Sequence, residues 1–179
     1  MERRLKLASY GSTLWSREKG RKIRARIASV LDESSPGDVL AVDMDSVEAF
    51  DFSFADELFG KTLVKLGVEF PGRFLVVENL SDYIRENLSK SLENLNLAMI
   101  ERRKGTVRLL GKVHPADEET FAELVLAGAV SAGALSKTLD VNLTAMNERL
   151  AKLTGLGLVR REKGSSATGR EQYVYRVLA

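Results

Sequence analysis

The chain has no cysteine, and that one absence excludes disulfide frameworks, thiolate zinc sites and cysteine nucleophiles together. Histidine occurs once, as His114, with no ligand set near it, so it reads as part of a connection. No apolar run approaches the roughly 20 residues needed to span a bilayer. The N-terminus, MERRLKLAS, lacks both the apolar centre and the small-residue cleavage site of a secretion signal. Neither sign of charge is in strong excess, the formal net charge being +2. These absences predict a soluble, cytoplasmic protein without a membrane partner.

What is present is ordinary in amount and uneven in distribution. Apolar residues make up 44% and charged residues 29% of 179 positions, enough for two small domains or one larger one. Met1 to Arg26 carries nine Lys/Arg against two Glu, and Arg149 to Ala179 carries seven against Glu162 and Glu171. The stretch between is therefore acidic. Two basic ends suit a polyanion, although charge runs are usually solvated faces.

Strand-like and helix-like patterns alternate over the first part. Arg4 to Tyr10 alternates as a half-buried strand does. Ile23, Ile27, Val30 and Leu31 recur at helical spacing from about Arg17 to Leu31, and Asp38 to Met44 reads as a buried strand. Further helices are predicted from Phe54 to about Leu66 and from Ser81 onward. Strands are predicted over Arg73 to Val77 and Thr106 to Val113, with a weaker one near Leu97 to Ile100. Such alternation predicts an α/β sandwich with a mixed sheet. At His114-Pro115 the pattern changes to three short helices and then two strands around a polar loop. The expected domains are accordingly 1–113 and 114–179.

The C-terminal part carries the most informative segment. Asp117-Glu118-Glu119 places acids at a helix start, where the dipole is positive, and Gly128 helps to end that helix. Ser131 caps a second helix and Asn142 a third. On the third, Leu143, Met146, Leu150 and Leu153 share one side, while Thr144, Glu148, Ala151 and Lys152 project the other way. Asn147 and Arg149 lie at the edges between those faces. Gly157 ends the helix, and a hairpin follows around Lys163 to Gly169. The run AMNERLAKL, then GLV and a basic hairpin, resembles the winged helix-turn-helix of MarR-like and ArsR-like regulators.

That resemblance implies duplex DNA as partner and a two-fold homodimer. The residue chemistry agrees, because a helix fits the major groove, where each base pair shows its own donor and acceptor pattern. Asn142, Thr144, Asn147 and Lys152 are the helix candidates, with Asn147 offering an amide for adenine. Arg160, Arg161, Lys163 and Arg170 are placed for phosphates or the minor groove. Glu148 counts against DNA unless it meets a cytosine amine.

In the N-terminal part, GRKIR at Gly20 to Arg24, the strand into Asp43, SFADELFG and VENLS together resemble STAS-like domains, related in form to anti-anti-sigma factors. The resemblance implies partner binding or signal reception, and it puts Ser53 in the place of a regulatory serine that relatives phosphorylate. The residues themselves predict a plainer role, with Ser53 capping a helix and Asp56 returning a bond. Asp56 and Glu57 then read as first-turn acids that favour the helix dipole. Two enzymatic patterns are incomplete. Asp43-Met44-Asp45 after a strand is similar to the haloacid-dehalogenase nucleophile motif but lacks the later acids that would hold magnesium. Gly20 before an Arg-rich helix lacks any phosphate-loop spacing. No catalytic residue, metal site or cofactor is therefore expected. The reading is a non-enzymatic DNA-binding transcription regulator. The alternative is a signalling adaptor in which both domains bind proteins.

Overall fold

The computed structural model describes residues 1–165, 169 and 171–178. The chain divides into two compact units, Met1–Lys112 and Val113–Leu178.

In the first unit β1 (Glu2–Lys6) leads into a 3₁₀ turn at Leu7–Tyr10, then β2 (Thr13–Leu14) and α1 (Arg17–Asp32). β3 (Val39–Asp43), β4 (Ala49–Phe50) and α2 (Phe52–Ala55) follow. A π-helical turn, Asp56–Gly60, joins α2 to α3 (Lys61–Glu69). The unit closes with β5 (Phe74–Glu78), α4 (Asp82–Asn94), β6 (Ala98–Arg103) and β7 (Thr106–Gly111). The main sheet has the order β1-β3-β5-β6-β7, with four parallel strands and β7 antiparallel at the edge. Each parallel neighbour is reached through a helix, and right-handed crossovers between neighbours put all these helices on one face. Leu40, Val42, Leu75, Val77 and Met99 point to that face and share a core with Ile23, Ile27, Leu58, Phe59, Ile84 and Leu88. Alternation sends Ala41, Val76 and Ile100 to the other face, where they are buried but outside that core.

Several expectations need correction here. The strand expected over Arg4 to Tyr10 stops at Lys6, because Ser9 Oγ donates to the Lys6 carbonyl and Gly11 N to Ala8 O, closing a tight turn that buries Leu7. The weak strand near Leu97 is a full interior strand, β6, paired on both sides. The helix expected from Phe54 begins at Phe52 and is capped by Asp51, whose Oδ1 accepts from Phe54 N at 2.8 Å. Ser53 is therefore no cap; it sits inside the first turn. The hydrophobic staple explains the choice. With Asp51 as cap the flanking pair is Phe50 and Ala55, both buried, whereas Ser53 would have paired Phe52 with Glu57.

The second unit runs α5 (Pro115–Ala127), β8 (Val130–Ser131), α6 (Ala132–Thr138), α7 (Leu143–Gly155), β9 (Val159–Ser165) and β10 (Glu171–Val177). Its antiparallel sheet has the order β8-β10-β9. His114 is more than a connection. Its Nδ1 accepts from Ala116 N at 3.2 Å and caps α5. Ser131 and Asn142 cap α6 and α7, accepting from Ala134 N and Ala145 N. α7 ends in a Schellman motif: Leu158 N donates to Leu153 O and Gly157 N to Thr154 O, with Gly157 at φ 71°. Phe121, Leu124, Leu135, Met146, Leu150, Leu153, Leu158 and Tyr175 are buried together in this unit.

Candidate nucleic-acid interface

The exposed side of α7 is set by what its opposite side buries. Met146, Leu150 and Leu153 are fully covered, which at 3.6 residues per turn leaves the other side outward. Thr144, Asn147, Glu148, Ala151 and Lys152 all lie exposed on it. Leu143 was expected on the buried side but is 51% exposed, because it falls at the edge of the stripe in the first turn. It continues the row Leu143, Asn147, Ala151 at four-residue spacing, beside the row Thr144, Glu148, Lys152. Asn142 spends its carbonyl oxygen on the cap, leaving its amide N–H groups as the free part of that side chain. Arg149 points inward; its Nη1 donates to Ala116 O at 3.1 Å and pairs with Glu119 at 3.2 Å, tying α7 to α5.

The hairpin β9–β10 splits the arginine pair that the sequence offers. Successive strand residues face opposite ways, so Arg161 and Lys163 share one side with Tyr173 and Tyr175, and Arg160 shares the other with Arg176 and Glu162. Arg161, which is exposed, lies over the Tyr173 ring at 4.4 Å, a cation–π contact. Arg160 is mostly covered and meets Glu162 at 3.4 Å. Arg176 completes that side, 3.9 Å from Glu162. Tyr173 and Arg176 were not picked out from the sequence. Cross-strand register would have found both, opposite Lys163 and Arg160. Arg170 and the loop residues 166–168 lie outside the described residues.

Charge in this part of the chain is polarised rather than plentiful. Residues 113–148 hold Lys137 against six acids, and residues 149–179 hold seven Lys/Arg against two, so 113–179 balances at eight each. The basic half is the end of α7 and the hairpin.

In the first unit the basic run of α1 is engaged differently. Glu57 is fully buried and takes Lys61 Nζ at 2.5 Å and Arg24 Nη2 at 3.0 Å, with Arg21 at 3.7 Å and Arg17 at 3.9 Å. The Lys61 hydrogen bond, followed by that of Arg24, holds its carboxyl below the usual carboxylate range despite burial. Asp56 takes Arg17 at 2.7 Å. These two acids are therefore ion-pair centres, not first-turn charges set against a helix dipole. Gly20 is explained by the same packing, since a Cβ there would stand 3.0 Å from Glu57 Cβ and 3.2 Å from Phe54 O. Asp43, buried at the end of β3, accepts from Asn79 Nδ2 at 2.8 Å and from Asp45 N at 3.1 Å. Ser53 is partly covered, with its hydroxyl not engaged in the cap.

Residues 19–85, from α1 to the start of α4, match the family model of a STAS-like domain of unknown function (DUF4325). The mixed sheet and the helices of the first unit are consistent with that fold. No curated protein matches the chain. Among solved structures, a possible transcriptional regulator from Methanosarcina mazei Go1 is similar over 37% of this chain, at 19% identity and a TM-score of 0.34. The chain spans 57% of that protein's length. A likeness of that size assigns no role. Among the described residues no helix is long and apolar enough to cross a membrane.

Proposed function

We propose that the second unit is a winged helix that binds duplex DNA, and that the chain is a non-enzymatic transcription regulator. In this reading α7 enters the major groove with Thr144, Asn147 and Lys152 toward base edges and flanking phosphates. The β9–β10 hairpin is the wing, with Arg161 and Lys163 toward the backbone or minor groove. Asn142 contributes at the groove edge and Arg160 supports the wing through Glu162. The STAS-like unit receives a signal, binds a protein partner or pairs two copies. Helix-turn-helix proteins commonly dimerise on half-sites about 10 base pairs apart.

One observation carries the reading. A helix whose far side is packed into a small core presents a polar row outward, in the unit whose hairpin holds an exposed arginine over a tyrosine ring. Fluorescence anisotropy with a random 20-base-pair duplex at low salt tests it. Binding should weaken steeply with salt, with a log–log slope of about −0.9 per neutralised phosphate.

The second reading, an adaptor in which both units bind proteins, draws support from the zero net charge of residues 113–179. It predicts no salt-steep DNA binding at all.

A further inference from the structure

The face of the main sheet turned away from the helices carries charged side chains beside the buried Ala41, Val76 and Ile100. Register places Glu2, Arg4, Glu78 and Arg102 on that face. Arg4 Nη2 lies 2.9 Å from Glu78, and Arg102 reaches Glu78 at 2.6 Å and Glu2 at 2.8 Å. Because β3 separates β1 from β5, and β3 and β5 separate β1 from β6, these contacts run across the sheet, with Arg102 and Glu78 mostly covered and Arg4 and Glu2 about half exposed. They fix one wall of a cleft of about 420 Å³, within the range of small-molecule sites. The cleft continues past the carboxyl ends of β5 and β6 to Asn79 and the turn Lys104-Gly105. Ligands of open α/β sheets bind at that end of the strands.

The charges around the cleft do not cancel. Arg4, Arg102 and Lys104 line the cleft against Glu2 and Glu78, a surplus of one positive charge. Arg103 also borders it, but its side chain alternates to the helix-bearing face, where it lies 3.6 Å from Asp82. The Nε of Arg102 is buried with no hydrogen-bond partner among the described residues, a costly state for a charged group. Lys104 and Gly105 both hold positive φ, 47° and 78°, so the hairpin turn is tight and its two residues lie outside the β6–β7 ladder.

We propose that this cleft binds a small phosphorylated molecule, with its dianion set against Lys104 and Arg4 and the Arg102–Glu78 pair holding the wall. In the regulator proposed above such a molecule is the effector, and only that role depends on the regulator reading. The binding itself needs no DNA. The test uses the full ¹⁵N-labelled chain titrated with inorganic pyrophosphate, with sodium chloride matched for ionic strength. Saturable amide shifts are expected at Asn79, Lys104, Gly105 and Thr106. The exposed variant Lys104→Ala should bind about tenfold more weakly with its melting temperature unchanged. Shifts that fail to saturate, shifts centred on Arg161 and Lys163, or equal affinity in the variant would overturn the proposal. A chain that ignores DNA yet saturates with pyrophosphate would overturn the regulator reading and keep this one.

Discussion

In Met1–Lys112 arginines close onto carboxylates, whereas along the end of α7 and one side of β9 in Val113–Leu178 the cations stay outward. Arg24 closes on Glu57, Arg85 on Glu101 and Arg102 on Glu78, and the carboxylates are all buried. Lys152, Arg161 and Lys163 are exposed. The numbers of charges do not separate the two units, at 19 Lys/Arg against 17 Asp/Glu over 1–112 and eight against eight over 113–179. What separates them is whether a helix or strand buries an acid beneath the base. A buried pair costs desolvation that only its partner offsets, so those arginines are committed to the fold. Exposed ones contribute little to stability and remain available to a polyanion.

The largest effect that could break this comparison is at Glu101. Its two oxygens take Arg85 Nε at 2.6 Å and Nη2 at 2.8 Å. Glu101→Gln leaves a mostly buried guanidinium with only the exposed Asp82 as counter-charge and should cost about 3–5 kcal/mol. Urea unfolding followed through Trp15, the one tryptophan and a residue of the first unit, measures it. A loss below about 1 kcal/mol, the range of surface pairs, would remove the distinction drawn here.

Gly20→Ala comes next. The added methyl must displace Glu57 or the Phe54 carbonyl, so a loss of about 1–3 kcal/mol is expected from the same urea transition. An unchanged midpoint would show that α1 is free to back away from the π turn.

Acid sharpens the comparison further. Glu57 has its folded pKa lowered, chiefly by Lys61, so the stability it contributes is present above the ordinary carboxylate range and fades as pH falls through its lower folded value. Urea midpoints measured between pH 7 and pH 3 should therefore fall more steeply in the wild type than in Glu57→Gln. Parallel curves would contradict the ion-pair role.

The smallest effect concerns the two candidate caps of α2. Asp51→Ala should cost about 0.5–2 kcal/mol, and Ser53→Ala should stay within about 0.5 kcal/mol. The reverse order, in the same assay, would restore Ser53 as the cap.

These cases also mark what the sequence could and could not disclose. The helices bearing Ile23 and Ile27, Ile84 and Leu88, or Met146 and Leu150 were legible because apolar spacing alone specifies a buried stripe. So were the caps Ser131 and Asn142 and the terminating Gly157. Ser53 suits a cap by residue type, but so does Asp51 two residues earlier, and only the staple pair Phe50 and Ala55 separates them. Glu57 was misjudged because local pattern cannot show that Arg24, thirty-three residues away, packs over it. The short parallel pair β2–β4 leaves no signal at all, since two residues carry no period. At the candidate interface the outward row of α7 followed from spacing. The separation of Arg160 from Arg161 also follows from strand alternation, but it needs the strand register to say which of them faces Tyr173.

The salt dependence of DNA binding in two matched double variants tests the central claim most directly. Arg161→Ala/Lys163→Ala removes two outward cations of the proposed wing, and Arg21→Ala/Lys22→Ala removes two cations of α1 that lie 3.7 Å from Glu57 and 3.1 Å from Glu18. Anisotropy titrations on one random duplex between about 50 and 200 mM salt give a log–log slope for each chain. The account predicts that the wing variant loses up to about 1.8 from the slope, at about 0.9 per phosphate contact, while the α1 variant keeps the wild-type slope. Equal slopes in all three chains, or a loss confined to the α1 variant, would contradict it.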